Sequence, residues 1–498
     1  MLNNKRISAG ELAVQIDAEL FGDAKTEIGD ISHDSRQVAN GSLFAAVEGL
    51  TTDGHRFVDD VMRRGAAGII SQREPDEDFS GVWLRVADTR HAMALAASAV
   101  HGDPSSRINL VGITGTNGKT TTTYLVNAVS KSSGVKTAML TTVEYRIGDE
   151  SRPAVRTTPE ATDTFRFLAD AVGAESGMAV MEASSQAIDL NRCDGLKFRV
   201  AVFTNLTRDH LDYHHTMENY YAAKRKLFDG GLGQPPTSSI INIDDEWGRR
   251  LVGELRSKGQ RVVTISQLED ADVASRGISV SMLEGTSFKA LTPAGEVEIR
   301  SPLVGRPHVY NMLCAIAVGL ELGYEIESIA KGFSDCQGAP GRFERVIHDG
   351  DFAVVVDYAH TDDALLNTLK TAKELAEGRV ITVFGCGGDR DKTKREPMGK
   401  IAAEFSDFAI ITSDNPRTED PLAIISEIEK GFAGSPCEYI VEPDRREAIF
   451  SAVRSAGSND VVIIAGKGHE TYQIVGGDKF HFDDKEIALE AIDAKERF

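Results

Sequence analysis

The sequence has 498 residues, of which 41% are hydrophobic and 26% charged, as is usual for a globular protein. At roughly 100–200 residues per domain, this length predicts about three domains. The formal net charge of -21 opposes binding to nucleic acids and acidic membranes, because polyanions repel each other. The start MLNNKRISAGELAVQ has no apolar leader segment, and no apolar run is long enough to span a membrane. We therefore expect a cytoplasmic protein without membrane insertion.

The first predicted domain covers residues 1–107. Its apolar stretches GSLFAAVEG, AAGIIS and GVWLRV are typical of buried strands, and helix-like segments lie between them. The stretch HGDPSSR at 101–107 is rich in turn-forming residues, which suits a linker. This pattern predicts a small α/β domain.

The second predicted domain covers residues 108–337. It begins with the strand INLVGI, the glycine-rich turn TGTNGKT and the helix TTTYLVNAVSKSSG, which ends on a glycine. Further buried strands are predicted at GMAVMEA, FRVAVFTN, SSIINI and QRVVTIS, separated by helical or polar stretches. Such alternation is typical of a mostly parallel sheet.

The third predicted domain covers residues 338–498 and follows the turn-rich segment QGAPGRFE. The apolar stretches FAVVVDYA, RVITVFGCGG, FAIITSDNP and VVIIAGKG alternate with helical stretches such as DDALLNTLKTAKELAEG. This alternation predicts a Rossmann-like unit. The fold class predicted for the whole chain is therefore three-domain α/β.

A glycine-rich loop, 115–120, lies between an apolar strand and a helix, where backbone N–H groups can bind phosphates. Lys119 is expected to face the β- and γ-phosphates, and the Thr120 hydroxyl to reach Mg²⁺. The match to the Walker A spacing is incomplete, because Ile113 stands where that motif has its first glycine. A nucleoside triphosphate site is predicted, with a glycine turn and an incidental lysine as the structural alternative. The loop does not distinguish an ATPase, a kinase and a ligase.

Three more polar residues follow predicted strands or lie on the next helix. Glu182 ends GMAVME, where a carboxylate can ligate Mg²⁺ or simply cap a turn. His210 lies in the loop TNLTRDHLDYH, and Lys224 lies on the helix after it. Taken singly, such a histidine is more often structural and such a lysine more often solvated.

Together these motifs resemble the Mur ligases, and among them the members that extend UDP-MurNAc-L-Ala-D-Glu. The motifs of the first two predicted domains are HDSR (33–36), DGHRF (53–57), GTNGKT (115–120), TTPE (157–160), EASSQ (182–186), TNLTRDHLDYH (204–214) and AAKRKLF (222–228). Those of the last are GRFERV, VDYAHT, GCGGDRD, DNPR and GKGHE. The resemblance thus spans all three predicted domains in the family's order, which a chance phosphate-loop match would not do.

The resemblance implies a uridine-nucleotide domain, a central ATP domain and an amino-acid domain, and it assigns residues to each. The positions matching the UDP-MurNAc-dipeptide site are His33, Ser35, Thr157, Thr158, Ser184 and Arg192. Those matching the ATP site are Gly115, Thr116, Asn117, Gly118, Lys119, Thr120, Thr121, Asn311, Arg342 and Asp357. The catalytic positions are Lys119, Glu182, His210 and Lys224. The Mg²⁺ positions are Thr120, Glu182, His210 and Lys224, the lysine as its carbamate.

The implied reaction is ATP-dependent amide-bond formation at the D-Glu side-chain carboxylate, through an acyl phosphate, with meso-diaminopimelate as the amine. The positions matching the diaminopimelate site are Arg390, Asp414, Asn415, Arg417, Gly466 and Glu470. Arg417 can bind the distal carboxylate that distinguishes diaminopimelate from lysine. Its structural alternative is a surface ion pair with Glu419 or Asp420. L-lysine or another diamino acid is the alternative substrate, and a monomer is expected.

The sequence departs from the family pattern at His308, Gln186 and Asp362, which changes local contacts, those at adenine above all, but removes no catalytic group. The nearest alternative enzyme is another member of the same superfamily, such as a folylpolyglutamate synthase-like ligase or a ligase of a different Mur step, and the HDSR and DNPR motifs argue against it. A non-catalytic nucleotide-binding regulator would need the phosphate loop without Glu182, His210 and Lys224. An NAD(P)-dependent oxidoreductase is disfavoured, because the glycines at 385–388 lack GxGxxG spacing.

Overall fold

The computed structural model describes residues 6–49 and 52–496. The chain divides into two compact units. The first contains the chain up to Arg276 together with Ala290–Val297 and Tyr310–Phe333, and the second contains Gly277–Lys289, Glu298–Val309 and the chain from Ser334. The boundaries predicted near 107 and 337 stay predictions. Within the described ranges, no helix is both long and apolar enough to cross a membrane.

The first unit begins with a five-stranded sheet of order β2-β7-β6-β5-β4. Its strands and the small β1–β3 pair are β1 Ile7–Ser8, β2 Glu19–Phe21, β3 Glu27–Ile28, β4 Asp30–Ser32, β5 Ser42–Ala45, β6 Gly68–Ser71 and β7 Val82–Arg85. The helices are α1 Ala9–Gln15, α2 Val58–Arg63 and α3 Thr89–Val100. The three strands predicted from apolar stretches are confirmed as β5, β6 and β7, and all three are largely buried.

The same unit continues into a larger sheet with flanking helices. Its strands are β8 Asn109–Thr114, β9 Thr137–Leu140, β10 Glu144–Ile147, β11 Glu150–Pro153, β12 Met178–Glu182, β13 Val200–Phe203, β14 Ser238–Asn242 and β15 Val262–Ser266. Its helices are α4 Lys119–Ser132, α5 Ala161–Gly173, α6 Ser185–Asp189, α7 Leu211–His214, α8 Met217–Asp229 and α9 Glu246–Ser257. The chain then forms β16 Val273–Ser281, β17 Gly285–Thr292, β18 Gly295–Ser301, α10 Arg306–Glu321 and α11 Ile326–Ser334.

Strands β9, β12, β8, β13, β14 and β15 are neighbours in that order and run parallel. Their apolar side chains are buried on both faces, as parallel strands covered by helices require. The predicted parallel sheet is therefore confirmed. It brings the carboxyl ends of β8, β12 and β13 side by side, where ligand-binding loops of such sheets lie.

The second unit contains a six-stranded sheet of order β19-β20-β24-β21-β22-β23. The strands are β19 Glu344–Val346, β20 Ala353–Asp357, β21 Val380–Phe384, β22 Phe408–Ile411, β23 Glu438–Val441 and β24 Val461–Ala465, followed by the hairpin β25 Tyr472–Val475 and β26 Asp478–His481. The helices are α12 Asp362–Leu375, α13 Arg395–Phe405, α14 Pro421–Glu429, α15 Arg445–Ser455 and α16 Asp484–Glu496. Only β19 pairs antiparallel in the six-stranded sheet, and the four strands predicted here are confirmed.

A buried ion pair ties the end of this sheet to the last helix. Arg445 Nε and Nη2 donate to the two carboxylate oxygens of Asp484 at 2.7 and 2.6 Å, and both side chains are 0% exposed. Nη2 also donates to the carbonyl of Ala465, the last residue of β24, at 3.0 Å. The pair therefore fixes the point where the chain leaves β24 and enters the loop 466–470.

Candidate active site

The loop between β8 and α4 has a shape that depends on two glycines. Gly115 has φ 151° and Gly118 has φ 84°. A Cβ on Gly115 would lie 1.9 Å from Thr204 Oγ1, and one on Gly118 would lie 2.4 Å from Asn311 Oδ1. Neither position tolerates a side chain, because both the backbone angles and the neighbouring atoms exclude one. Gly118 caps the helix at which the loop ends, so backbone N–H groups face the loop.

The loop is held by the segment that follows β13. Thr204 Oγ1 donates to the Asn117 carbonyl at 2.6 Å, and Asn205 Oδ1 accepts from Asn117 N at 2.9 Å. Sequence reasoning did not name these two residues, although their position just after the strand FRVAVF was a usable signal. On the other side, Thr122 Oγ1 donates to Asn311 Oδ1 at 3.2 Å. Asn311 therefore lies beside the loop, as does Thr121, which is buried in the first turn of α4.

Glu182 ends β12 and is 1% exposed. Its Oε2 accepts from Thr120 Oγ1 at 3.1 Å, while its Oε1 accepts from the backbone N and the hydroxyl of Thr142 at 2.8 and 3.2 Å. It is therefore neither a helix cap nor a solvated turn residue. Thr142, which sequence reasoning missed, fixes one carboxylate oxygen and leaves the other facing Thr120.

Lys224 lies on α8 and is 1% exposed, so the interpretation as a solvated helix lysine is wrong. Its Nζ donates to the Gly115 carbonyl at 2.8 Å. Lys119 Nζ donates to the same carbonyl at 3.0 Å and to the Thr116 carbonyl at 2.9 Å. Burial lowers the pKa of Lys224 well below its usual value, and the charge of Lys119 lowers that pKa further. Lys224 therefore has access to the neutral amine form.

His210 precedes α7 with φ 54° and a side chain that is 45% exposed. Partial burial lowers its pKa, Asp209 opposes this, and Lys119 and Lys224 lower the pKa further, which favours a neutral imidazole with a free lone pair. No set of three or more histidine, cysteine, aspartate or glutamate side chains surrounds one metal position in the described ranges. A metal here needs other oxygen donors, and the Thr120 hydroxyl beside Glu182 is one.

The residues predicted to bind the muramoyl dipeptide meet near the end of β12. Thr158 Oγ1 donates to the Glu182 carbonyl at 2.8 Å and accepts from Ser184 N at 3.1 Å. Arg192 Nη1 donates to the Thr158 carbonyl at 3.2 Å. Thr157 Oγ1 lies 3.1 Å from Thr142 Oγ1, to which it can donate. These side chains therefore surround the same strand end as the buried carboxylate of Glu182.

Three guanidinium groups lie around one buried carboxylate next to this cluster. Glu160 pairs with Arg192 at 2.8 Å, with Arg90 at 3.8 Å and with Arg156 at 3.9 Å. Three positive charges on one negative charge leave an excess that suits an anionic ligand. Glu160 is the last residue of the TTPE motif, and the sequence alone assigns it no role.

His33 and Ser35 follow β4 and lie apart from the phosphate loop. His33 Nδ1 is 2.9 Å from Thr162 Oγ1 on α5, and the Ser35 carbonyl accepts from Arg64 Nη2 at 2.6 Å. The first contact joins the loop after β4 to the helix that begins beside Glu160.

In the second unit, Asp357 ends β20 and is buried deeply enough to raise its pKa. Opposing this, its carboxylate accepts from the backbone N of Phe343 at 2.5 Å and from Thr368 Oγ1 at 2.9 Å. The Arg342 guanidinium lies 4.8 Å from the centre of the Tyr358 ring. Arg342 and Asp357 thus both belong to the region where β20 ends.

Arg417 lies in the loop after β22, where its backbone N donates to Ile474 O at 3.1 Å. Its Nη1 donates to the Gly388 carbonyl at 2.7 Å, which ties it to the loop after β21. Glu419 pairs instead with Arg395 at 2.9 Å and with Lys392 at 2.8 Å. In the part of the chain that the structure describes, Arg417 forms no ion pair, so the surface-pair alternative does not hold.

The loops after β21, β22 and β24 bring the remaining predicted residues together. Asn415 Nδ2 donates to Glu470 Oε2 at 2.9 Å. A Cβ on Gly466, which has φ 116°, would lie 2.6 Å from Asp414 Oδ2. Burial raises the pKa of Glu470, and the charge of Asp414 raises it further. With the exposed Arg390 on the loop after β21, these loops present both cationic and acidic groups.

Comparison with known proteins places this geometry in a family. Residues 27–101 match the family described as "Mur ligase family, catalytic domain", residues 113–319 the "Mur ligase middle domain", and residues 341–468 the "Mur ligase, glutamate ligase domain". A relative from Solibacter usitatus named UDP-N-acetylmuramoyl-L-alanyl-D-glutamate--2,6-diaminopimelate ligase is 46% identical over 469 residues, covering 94% of each chain.

A relative of the same name from Geobacter metallireducens is also 46% identical, covering 94% of this chain and 95% of its own. A solved structure with that name is 32% identical, with a TM-score of 0.75 and 99% coverage of both chains. The relatives match almost from end to end, so the likeness includes the phosphate loop, the strand ends and the C-terminal loops alike. The chain belongs to the Mur ligase family of ATP-dependent, amide-bond-forming ligases.

Proposed function

We propose that this protein joins meso-2,6-diaminopimelate to the D-Glu side-chain carboxylate of UDP-MurNAc-L-Ala-D-Glu at the expense of ATP. The full-length relatives carry that activity in their names, without the stereochemistry of the amino acid. The observation that carries the choice of amino acid is Arg417, whose guanidinium donates to Gly388 O and forms no ion pair with the residues that the structure describes. L-lysine, which lacks the distal carboxylate, gives this group nothing to bind.

The chemistry requires activation of a carboxylate. A carboxylate at neutral pH does not react with an amine, so its oxygen attacks the γ-phosphorus of ATP, giving an acyl phosphate and ADP. The amine then attacks the acyl carbon, a tetrahedral intermediate forms, the nitrogen loses a proton, and phosphate leaves with the C–O bonding electrons. Lys119, at the mouth of the phosphate loop, stabilises charge on the transferring phosphoryl group.

Mg²⁺ fits the oxygen-rich end of β12, where Thr120, Glu182 and His210 would hold it, and the carbamate of Lys224 would be an oxygen ligand for a second Mg²⁺. When bound it supplies positive charge to the phosphates. The lowered pKa of Lys224 supports the carbamate, because only a neutral amine adds to CO₂. That addition forms an N–C bond, opens one C–O π bond of CO₂ and releases one proton from nitrogen, which turns a buried neutral amine into an anionic oxygen ligand.

The other residues bind and orient the substrates. His33 and Ser35 are assigned to the uridine nucleotide, whereas Thr157, Thr158, Ser184 and Arg192 are assigned to the dipeptide. The excess positive charge around Glu160 supports the second assignment, because the dipeptide is anionic. The loop 115–121, Asn311, Arg342 and Asp357 are assigned to ATP. Location in the cytoplasm and a monomeric state stay predictions.

The amino-acid loops suit a substrate with charges of both signs. Arg417 offers two nitrogen donors in the plane of a carboxylate, and Glu470 offers an acceptor for the distal ammonium group. Arg390, Asp414, Asn415 and Gly466 complete the set. An amino acid without a second carboxylate would lose the Arg417 interaction and keep the one with Glu470.

The test is phosphate release from ATP with purified protein, UDP-MurNAc-L-Ala-D-Glu and a panel of meso-diaminopimelate, LL-diaminopimelate and L-lysine. We expect release that requires both substrates and is fastest with the meso isomer. Release without any amino acid would identify an ATPase, and equal rates with lysine would contradict the substrate assignment. Mass spectrometry of the product separates ligation from uncoupled hydrolysis.

A further inference from the structure

Lys467 is a buried cation in the loop that follows β24. Its side chain is 0% exposed, and its Nζ donates to Asn415 Oδ1 at 3.1 Å and to the Tyr472 carbonyl at 2.6 Å. The carboxylates of Asp414 and Glu470 each approach Nζ to 4.0 Å. Burial of an ammonium group is costly unless its partners are fixed. The burial of Lys467 is therefore possible only because these four groups surround its ammonium group.

The contacts of Lys467 determine the orientation of one side-chain amide. Asn415 Oδ1 accepts from Lys467 Nζ and from Ile474 N, the second at 2.9 Å. An ammonium and a backbone N–H are donors only, so the amide oxygen must face them. Asn415 Nδ2 is then directed to Glu470 Oε2, 2.9 Å away. In the reversed orientation, the amide nitrogen of Asn415 would face two other donors, Lys467 Nζ and Ile474 N, and its oxygen would face the Glu470 carboxylate.

We propose that Lys467 is a positioning residue that acts through Asn415 to hold Glu470 as an oriented acceptor for the distal ammonium group of the amino-acid substrate. This rests on the proposed function, because it takes Glu470 as part of the amino-acid site. Lys467 itself donates to protein atoms and need not touch the substrate. Without it, Asn415 loses one of the two donors that fix its amide, and Glu470 loses a nearby positive charge.

The charges around Lys467 give the inference a pH signature. The charged groups near Lys467 are Asp414, Arg445, Asp484 and Glu470. Those near Glu470 are Asp414, Lys467, Arg417 and Arg445, and the titratable rings of Tyr358 and Tyr472 also lie near it. Burial and Asp414 raise the pKa of Glu470, whereas Lys467 lowers it. Loss of Lys467 therefore raises the pKa of Glu470. Because a protonated carboxyl cannot pair with an ammonium, substrate binding weakens at a higher pH than before.

The experiment compares Lys467→Met with Lys479→Met in the ligation assay. Lys479 is an exposed lysine whose Nζ lies 3.6 Å from the ring centre of the same Tyr472, so its replacement is a matched control. For Lys467→Met we expect KM for diaminopimelate to rise on the order of 30-fold, as for a lost charge-assisted contact, while kcat falls less than about threefold. KM for ATP and for the UDP-dipeptide should stay unchanged.

The pH profile separates positioning from a general loss of structure. The acidic limb of kcat/KM for diaminopimelate should move to higher pH in Lys467→Met and stay in place in Lys479→Met. An unchanged limb and an unchanged KM in folded Lys467→Met would overturn the proposal. Thermal unfolding of each variant reports whether it is folded.

If Lys467→Met does not fold, a second variant, Asn415→Asp, tests the proposal. In Asn415→Asp, a carboxylate still accepts from Lys467 and Ile474 N but cannot donate to Glu470. We expect the same rise in KM and the same displaced limb, and wild-type values would overturn the proposal. The wild type is measured first, because a wild type that does not ligate diaminopimelate would reject the proposed function itself, whereas normal variants on an active wild type reject only this inference.

Discussion

Methionine in place of Lys224 keeps the length of the side chain and removes its charge. Lys224 Nζ has one hydrogen bond, to Gly115 O, and the described residues offer it no ion pair. Loss of that hydrogen bond costs about 0.5–1.5 kcal/mol, and relief of a buried amine offsets part or all of it. We therefore expect Lys224→Met either to lower the free energy of unfolding by less than about 1.5 kcal/mol or to raise it. A lysine retained for stability would instead cost roughly 2–5 kcal/mol on loss.

The difference in the free energy of unfolding between Lys224→Met and the wild type depends on pH in a definite direction. The pKa of Lys224 in the folded protein lies well below its value of about 10.4 in an unfolded chain. Between these two values the unfolded state binds more protons, so wild-type stability rises with pH by up to about 1.4 kcal/mol per unit. Below the pKa that Lys224 has in the folded protein, the full free-energy cost of burying its charge is present. The advantage of Lys224→Met should therefore be largest at low pH and shrink as pH rises, in bicarbonate-free buffer.

In contrast to its stability, the ligation activity of Lys224→Met should fall strongly. Ligation by Lys224→Met should fall at least about 100-fold in kcat, equivalent to about 2.7 kcal/mol in the barrier, because no carbamate can form. Lys226→Met is the control, since Lys226 lies on the same helix, is partly exposed and pairs with Asp189 at 3.1 Å. Lys224→Ala should be partly rescued by acetate. Retention of more than about a tenth of wild-type kcat by Lys224→Met would refute the reasoning.

Three further variants test the remaining assignments. Lys119→Ala should abolish ligation while the folded structure persists, and a loss below about tenfold in phosphate release would reject its role. Arg417→Ala should raise KM for diaminopimelate about 100-fold and leave any activity with lysine nearly unchanged, with Arg446→Ala on the surface as control; equal losses for both amino acids would reject the specificity claim. Asp484→Asn should lower the free energy of unfolding by about 3–5 kcal/mol, because it leaves Arg445 buried without a counter-charge. Urea titration measures this, the double variant with Arg445→Met should recover stability, and a loss below about 1 kcal/mol would contradict it.

The central strands could be predicted from the sequence because their signal is local. Runs of valine and isoleucine bounded by glycine turns occur only where both faces of a strand are covered, as in β8 and β20. Because the ends of strands in such sheets face ligands, Glu182 at the end of β12 and Arg417 after β22 could be predicted to bind ligands. Strands β10 and β11, EYRI and ESRP, gave no such signal and were missed, because they are polar and partly or fully exposed.

Burial of single lysines could not be predicted, since it depends on distant parts of the chain. Lys224 and Lys226 lie two residues apart in AAKRKLF and look alike in sequence. Only the packing of α8 on the loop after β8 separates them, and that loop is more than 100 residues away. Lys467 likewise stands between two glycines, and its partner Asn415 comes from the loop after β22, a strand separated from β24 by β21 in the sheet.

The Gly115 carbonyl connects the nucleotide loop to the proposed carbamate. It accepts from both Lys119 and Lys224, so two lysine side chains meet at one backbone oxygen. A carbamate on Lys224 keeps one N–H, which can still donate to this carbonyl, while its two oxygens replace the charge that repels Lys119. Carbamylation would therefore preserve the hydrogen bond that holds α8 to the loop and would place an anionic group, instead of an amine or ammonium, beside Lys119. The glycine at 115 matters for the same reason, because a side chain there would collide with Thr204 and displace the carbonyl on which both lysines depend.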